Sequence, residues 1–355
     1  AMRLIDLAAA LVSRFPGGLA YVNTVTCMLF GSISGSAVAA VSSIGSFMIP
    51  QMEKKGYGKN LSVALTVCSS TTGMLIPPSN IMIVYSVAVG GLSIGALFLA
   101  GVIPGIVLGL SIMAASFVYA RRRKIKPEGA FDFPLILRAF KRAFLSLLLV
   151  FVVLGGILGG IFTATEAAVI SVAYAFVLEV IVYRDIKISE MWGILAKSAE
   201  TTGVVMMIIG ASTAMSWIMT MSNAPAQIAE ALMYFGDSKV ALLIIINILL
   251  LIVGTFMDMT PAVLIFTPIF LPIAHSLGIS DLHFGIIMIT NLSIGLCTPP
   301  VGTCLFVGCG VGETSMAKVA PALAGYVVAM VAALMLITFV PELSLWLPRM
   351  LGLSV

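Results

Sequence analysis

Two polar interruptions in otherwise apolar sequence hold the residues best able to do chemistry. Gly31-Ser32-Ile33-Ser34-Gly35-Ser36 lies 46 residues before Pro77-Pro78, and Gly254-Thr255-Phe256-Met257-Asp258-Met259-Thr260 lies 45 before Pro299-Pro300. A helix that stops inside a membrane leaves carbonyls of partial negative charge and amides of partial positive charge without partners. Cations and anions can both be held at such ends. Ser32, Ser34 and Ser36 add hydroxyls to the first tip, and Gly31 and Gly35 let its backbone turn tightly. The prolines remove amide donors and free carbonyls for a hard ion such as sodium. Sodium ligands are therefore expected among Gly31, Ser32, Ser34, Pro77, Gly254, Asp258, Pro299 and Gly302. Substrate contacts are expected among Ser34, Ser36, Ser79, Asn80, Thr260 and Thr298, with Ser79 and Asn80 capping the half-helix after the first break. No cofactor is expected, and the ion expected at these helix ends is sodium.

Asp258 is the sharpest single residue. A charge at mid-membrane costs about 2.5–3.5 kcal/mol, so the carboxylate needs a partner, either a bound sodium ion or neighbouring backbone amides. Glu166, in Thr163-Ala164-Thr165-Glu166, is explained by helix capping alone, and Glu200 is ambiguous in the same way. His275 and His283 fall at the base of the second interrupted segment and read as surface residues. Cys27, Cys68, Cys297, Cys304 and Cys309 lack paired metal-ligand spacing and read as small core residues.

The elements that position these residues follow from composition. With 60% hydrophobic and 10% charged residues and a mean hydropathy of +1.15, the chain cannot cover a water-facing surface. It reads as an all-α polytopic membrane protein that sits in a lipid bilayer and binds no nucleic acid. Apolar legs at 17–31 and 36–52, and again at 238–254 and 259–277, are too short to be pairs of full spans and predict two re-entrant hairpins. Each is followed by a span broken at its double proline, 59–90 and 283–312, and a closing span, 92–119 and 319–341. The predicted organisation is an amphipathic arm at 1–16, a first repeat at 17–120, a cytoplasmic loop at 121–136, scaffold helices at 137–224 with runs at 143–161, 163–183 and 193–221, and a second repeat at 225–355. The second repeat opens with an amphipathic stretch at 225–235.

Charge sets the orientation. Arg14, Lys54, Lys55, Lys59, Arg121, Arg122, Arg123, Lys124, Arg138, Lys141, Arg142, Arg184, Lys187 and Lys318 fall on one side if the first hairpin opens to the cytoplasm. Lys239 and Arg349 are nearly alone on the other. The same count places the second hairpin opening to the periplasm, with the C-terminus there as well. The repeats are then inverted, as in alternating-access transporters. The first repeat is preceded by only an arm and the second by about 80 residues of spans, so an N-terminal portion is expected to be missing.

The runs Met28 to Ala37, Ile76-Pro77-Pro78-Ser79, Leu99-Ala100-Gly101-Val102-Ile103-Pro104-Gly105, Thr163 to Ala168, Cys297 to Gly302 and Pro341 to Pro348 resemble the large membrane subunit of TRAP transporters, the DctM type, across essentially the whole chain. That resemblance implies a sodium-driven importer of organic acid anions in a bacterial or archaeal inner membrane, working by an elevator mechanism rather than as an enzyme. It also implies two partners: a periplasmic substrate-binding protein (P type) and a small four-helix membrane subunit (Q type). The sequence departs from many such relatives in having Ala39-Ala40-Val41 where they place an Asp, and no Arg in the spans stands ready to clamp a carboxylate. Rival readings are a self-contained sodium/anion symporter, a channel, and an intramembrane aspartyl protease. The last needs a second facing carboxylate.

Overall fold

Prolines, glycines and short polar runs end the helices, and apolar runs between them fold as helices because no backbone polar group can be left unpaired in lipid. The computed structural model describes residues 2–13, 15, 17–123, 125, 133–222, 227 and 238–353. The expected amphipathic stretch at 225–235 lies almost wholly outside them, as do Arg14, Lys124 and most of the 121–136 loop. The described residues are all helical or connecting, without strands. Seven of the helices are long and apolar enough to cross a membrane.

In chain order, α1 (Met2–Val12) precedes a helix pair, α2 (Gly18–Ser34) and α3 (Ala37–Lys54). The first broken helix is α4 (Lys59–Ser70), continued by a 3-10 turn over Thr71–Met74, and then α5 (Asn80–Val89). The long α6 (Ile94–Arg122) closes this module. Next come α7 (Phe133–Leu158), α8 (Ala164–Phe176, prolonged as a π-helix over Val177–Val182) and α9 (Met191–Met221). The second module repeats the order as α10 (Lys239–Phe256), α11 (Met259–Ser276), α12 (Asp281–Gly295), α13 (Thr303–Val311) and α14 (Met316–Phe339). A short amphipathic α15 (Glu342–Met350) follows it.

Three boundaries differ from the sequence reading. The first helix of each pair runs on through residues assigned to the polar tip, α2 to Ser34 and α10 to Phe256, and α3 runs on to Lys54, so the pairs reach 17 and 18 residues in the first module and 18 each in the second. At that length α10 and α11 are each counted among the potential spans. Helix α7 starts at Phe133, well before the expected run at 143, since Arg138, Lys141 and Arg142 are accommodated on its exposed first turns. The motif at 341–348 forms a helix of its own.

The two modules interlock at their breaks. Helix α5 packs on α11, and α13 packs on α3 and α4, so the half-helix after each break lies against the other module's second paired helix. Small residues make this possible. A Cβ on Gly308 would sit 2.3 Å from the Val67 side chain, and one on Gly285 would sit 2.3 Å from the Tyr85 ring. The Tyr85 hydroxyl donates to the Asp281 carbonyl at 2.8 Å, and the Cys297 thiol donates to the Val67 carbonyl at 3.4 Å. One continuous hydrophobic core spans both modules. All five cysteines are free and buried within the apolar packing, as the sequence reading expects. By contrast α9 is apolar yet almost unburied, with Met207 79% and Trp192 78% exposed, which leaves it facing lipid or another membrane chain.

Candidate functional site

Each tip is bound to its own break by a glycine pair. Gly31 in the last turn of α2 faces Gly73 in the 3-10 turn, where an added Cβ would lie 2.3 Å from the opposing Cα. Gly254 in α10 meets Gly295 at the end of α12 in the same way, and a Cβ on Gly295 would lie 2.5 Å from the Gly254 carbonyl carbon. Only residues without a Cβ allow backbones this close. Gly73 and Gly295 both lie four residues before their double proline, so the crossing recurs in register. Both Pro-Pro peptides, Pro77-Pro78 and Pro299-Pro300, are cis.

A buried side chain from the first helix of each pair anchors the joint lower down. The Asn23 amide donates to Thr66 Oγ1 at 2.7 Å, and the Thr24 and Ser69 hydroxyls lie 3.0 Å apart. In the second module the Asn291 amide donates to Asn247 Oδ1 at 2.8 Å. Buried polar groups of this kind are stable only when partnered, so they fix which faces of the helices meet.

At the first tip Gly35 ends α2 in the left-handed region, φ +61°, and its N–H donates to the Gly31 carbonyl at 2.7 Å. Ser36 caps α3 by accepting from the Ala39 N–H at 3.2 Å. Ser34 Oγ accepts from the Ser36 N–H at 3.3 Å, and the Ser32 hydroxyl is buried and donates to the Leu29 carbonyl. Asn80 stands across from this turn: a Cβ on Gly35 would be 3.2 Å from its side-chain amide. Ser79 does not cap α5 through its side chain as expected. Its hydroxyl reaches back over the break to the Met74 carbonyl at 2.6 Å, satisfying a helix end instead.

The second tip is joined by its backbone. The Gly302 N–H, at φ +45°, donates to the Thr255 carbonyl at 3.2 Å. The Leu296 carbonyl takes the amides of Cys304 and Leu305, and the Thr298 hydroxyl donates to Ile294. Asp258 holds the N-cap position of α11 but makes no side-chain cap hydrogen bond, and the residue is exposed. The amide partners weighed for it are not engaged. Thr260, in the first turn of α11, is half-buried.

A cavity of about 200 Å³ opens at the first tip, lined by Ser34, Gly35, Pro78 and Asn80 from the tip and break and by Ala168 and Ser171 of α8 across from them. It therefore joins three of the expected site residues' neighbourhoods: Ser34, the proline break and Asn80. The second break is uncovered, with Pro299, Pro300 and Val301 exposed.

Two polar runs escaped the sequence reading. Ser69, Ser70, Thr71 and Thr72 before the first break, and Thr290, Asn291 and Ser293 before the second, are completely buried. The signal was available as Cys68-Ser69-Ser70-Thr71-Thr72-Gly73, an unbroken polar stretch inside an apolar span. Glu166 behaves as local capping predicts: Thr163 N–H and Oγ1 donate to its carboxylate at 2.8 and 2.9 Å. Glu200 is exposed on α9. His275 is exposed and pairs with Asp281, whereas His283, expected at the surface, is 3% exposed because α10, α14 and α15 close over the start of α12. No ion pair or hydrogen bond joins Asp258 to a second carboxylate among the described residues, and no group of three His, Cys, Asp or Glu forms a metal cluster there.

Comparison with known proteins places this geometry. Residues 1–343 match the family described as tripartite ATP-independent periplasmic transporter, DctM component. The chain is similar to "Uncharacterized protein YgiK" of Salmonella typhimurium, 48% identical over all of this chain and 81% of that protein. It is also 39% identical to the C4-dicarboxylate TRAP transporter large permease protein DctM of Pseudomonas aeruginosa, over all of this chain and 83% of the relative. The isethionate TRAP transporter permease protein DctMQ of Oleidesulfovibrio alaskensis is 39% identical over 97% of this chain and 54% of its own length.

Proposed function

The chain belongs to the DctM family of tripartite ATP-independent periplasmic transporter components, and from that premise we propose that it imports a small organic acid anion by sodium symport. The observation that carries this reading is the recurrence of one joint in two modules. In each, a glycine crossing presses a helix-pair tip against a double-proline break, which gathers helix ends able to hold ions. Sodium sits between each tip and the break of its own module. Its ligands are drawn from Gly31, Ser32, Ser34 and Pro77 in the first and from Gly254, Asp258, Pro299 and Gly302 in the second. Asp258 suits the role of a sodium ligand, since its carboxylate is not consumed by capping.

The substrate occupies the cavity at the first tip, contacting Ser34, Asn80 and Ser171, with Ser36, Ser79, Thr260 and Thr298 close to the helix ends. These donors are neutral, so the anion is held by hydroxyls, amide and helix N-termini rather than by an Arg fork. A carboxylate or sulfonate fits that chemistry, and relatives are named for a C4-dicarboxylate and for isethionate. The two modules, 17–120 and 225–355, move together as the elevator against α7 to α9, with inverted, re-entrant helix pairs opening to cytoplasm and periplasm respectively and the C-terminus periplasmic. The cavity lies between the first module and α8, where a moving body would slide on a fixed one. Each sodium carried through 100 mV contributes about 2.3 kcal/mol.

The setting is a bacterial inner membrane with a small Q-type subunit and a P-type binding protein. Uptake of labelled organic acids into proteoliposomes carrying those partners tests this. Uptake should require both an inward sodium gradient and the binding protein. Uptake by the membrane part alone would instead establish a self-contained symporter, and uptake indifferent to sodium would remove the coupling ion.

A further inference from the structure

A cavity of about 390 Å³ lies at the end of α4 remote from its break, where the start of α4, the end of α6 and the start of α14 come together. It shares no lining residue with the cavity at the first tip. Three cationic side chains line it, Lys59 from the first turn of α4, Arg123 from the cap of α6 and Lys318 from the first turn of α14, and no carboxylate does among the described residues. Their charge is scarcely offset. Glu313 reaches Lys59 at 3.9 Å, but its side chain is 88% exposed, and a pair so open to water is worth little. Arg123 and Lys318 have no ion pair among the described residues.

The cations are also placed against local preference. A helix start carries partial positive charge and favours Asp or Glu, yet α4 and α14 have no acidic residue in the first turn, carry a lysine there instead, and receive no side-chain cap. Arg123 is positioned without being neutralised. Its Nη1 donates to the Tyr57 carbonyl at 3.0 Å, and a Cβ on Gly58, the residue before α4, would stand 3.1 Å from the same nitrogen. That contact sets the guanidinium beside the start of α4, with the rest of its fork left to donate. Asn60, also in the lining, accepts from the Thr314 hydroxyl through Oδ1 at 2.9 Å, which leaves its amide hydrogens to donate as well. Like charge and open donors gathered in one volume are a conflict that an anion resolves.

We propose that this cavity is a second binding site, for a phosphate group held by Lys59, Arg123 and Lys318, which ties the first module through α4 and α6 to α14 of the second. Three cations on one ligand call for an anion with several oxygens, and phosphate supplies them. Two sources share that chemistry: the headgroup of an anionic phospholipid, and a free phosphate ester. The surroundings suit a lipid, because Leu61 and Pro321 add apolar lining, Val118 beside Tyr119 on α6 is 49% exposed, and basic pockets between membrane helices take such headgroups.

Two measurements on the full chain in a neutral detergent test the site and separate the sources. Native mass spectrometry compares dioctanoyl phosphatidylglycerol with dioctanoyl phosphatidylcholine, and titration calorimetry follows glycerol 1-phosphate. Phosphatidylglycerol retained in preference to phosphatidylcholine assigns the lipid headgroup, and saturable binding of glycerol 1-phosphate without that preference assigns a free phosphate ester. Lys59→Gln and Lys318→Gln should each weaken the ligand that binds by about fivefold, and the double variant by more than either. Lys197→Gln, an exposed change on α9 outside the cavity, should leave binding as it is. Melting temperatures without ligand should not fall in the cavity variants, since each removes a cation from a helix start, so lost binding is not lost folding. No lipid preference together with no saturable binding, a double variant that binds as the parent does, or an equal loss in Lys197→Gln would overturn the proposal.

Discussion

The two modules share a joint and differ in what covers it. At Gly31–Gly73 and at Gly254–Gly295 the tip and break touch backbone to backbone, and in both a buried Asn holds the helices below. Around the first joint, α6 lays Gly101 and Gly105 against Leu75 and Ile76, and α8 closes the far side of the cavity. Around the second, Pro299, Pro300, Val301 and Asp258 are exposed. The joint therefore does not depend on its cover: close approach of glycines and buried amides is enough to hold it. What the cover adds is an enclosed volume, and only the first tip has one among the cavities described.

The comparison breaks most visibly if the glycines are filled. Gly31→Val and Gly295→Val each set a side chain against backbone that cannot yield, and should cost about 1–3 kcal/mol or more in thermal or denaturant stability and abolish uptake in both modules alike. Gly193→Ala on α9, which meets nothing within 4 Å, is the matched control and should be neutral. If only the first module's variant is harmful, the joints are not equivalent. A smaller, one-sided effect should follow from filling the cover. Ala168→Leu intrudes on the first cavity and should lower uptake about tenfold, a loss of about 1.4 kcal/mol, at an unchanged melting temperature, while Val301→Leu at the open break should leave uptake intact. The smallest effect belongs to the cap beside the cover. Thr163→Ala removes the capping box of α8 and should cost about 0.5–2 kcal/mol of stability without moving the sodium dependence. A shift in sodium dependence would give Glu166 a transport role that its hydrogen bonds to Thr163 do not require.

The sequence announced the joints through residue types that are expensive in a membrane helix. Pro-Pro, Gly-Ser-Ile-Ser-Gly-Ser and a lone Asp are legible because each breaks a hydrogen-bond ladder or sets a charge within an apolar run, and their nearly equal spacing, 46 and 45 residues, exposed the repeat. Gly73 and Gly295 were silent, since glycine in a membrane helix is common and its purpose emerges only when the opposing glycine arrives from far along the chain. The partner of Ser79 was illegible for a related reason: a hydroxyl at a helix end has several local acceptors within reach, and tertiary geometry selects among them. His283 misled because a polar residue near a predicted helix start reads as surface, whereas α14 and α15 fold back over it. Helix ends shifted most where charges line an amphipathic first turn, as at Arg138 to Arg142.

The most direct test is a sodium titration of uptake in proteoliposomes, with partner subunits and binding protein present, comparing the parent chain with Ser34→Ala and Asp258→Ala. Both variants should stay within about 0.5 kcal/mol of the parent in stability, since Asp258 makes no cap hydrogen bond and Ser34 makes only a long one, 3.3 Å from the Ser36 N–H. Each should raise the sodium concentration needed for half-maximal uptake, one through each module. Titration curves that superimpose on the parent's for both variants would contradict the claim that the tips hold the coupling ions.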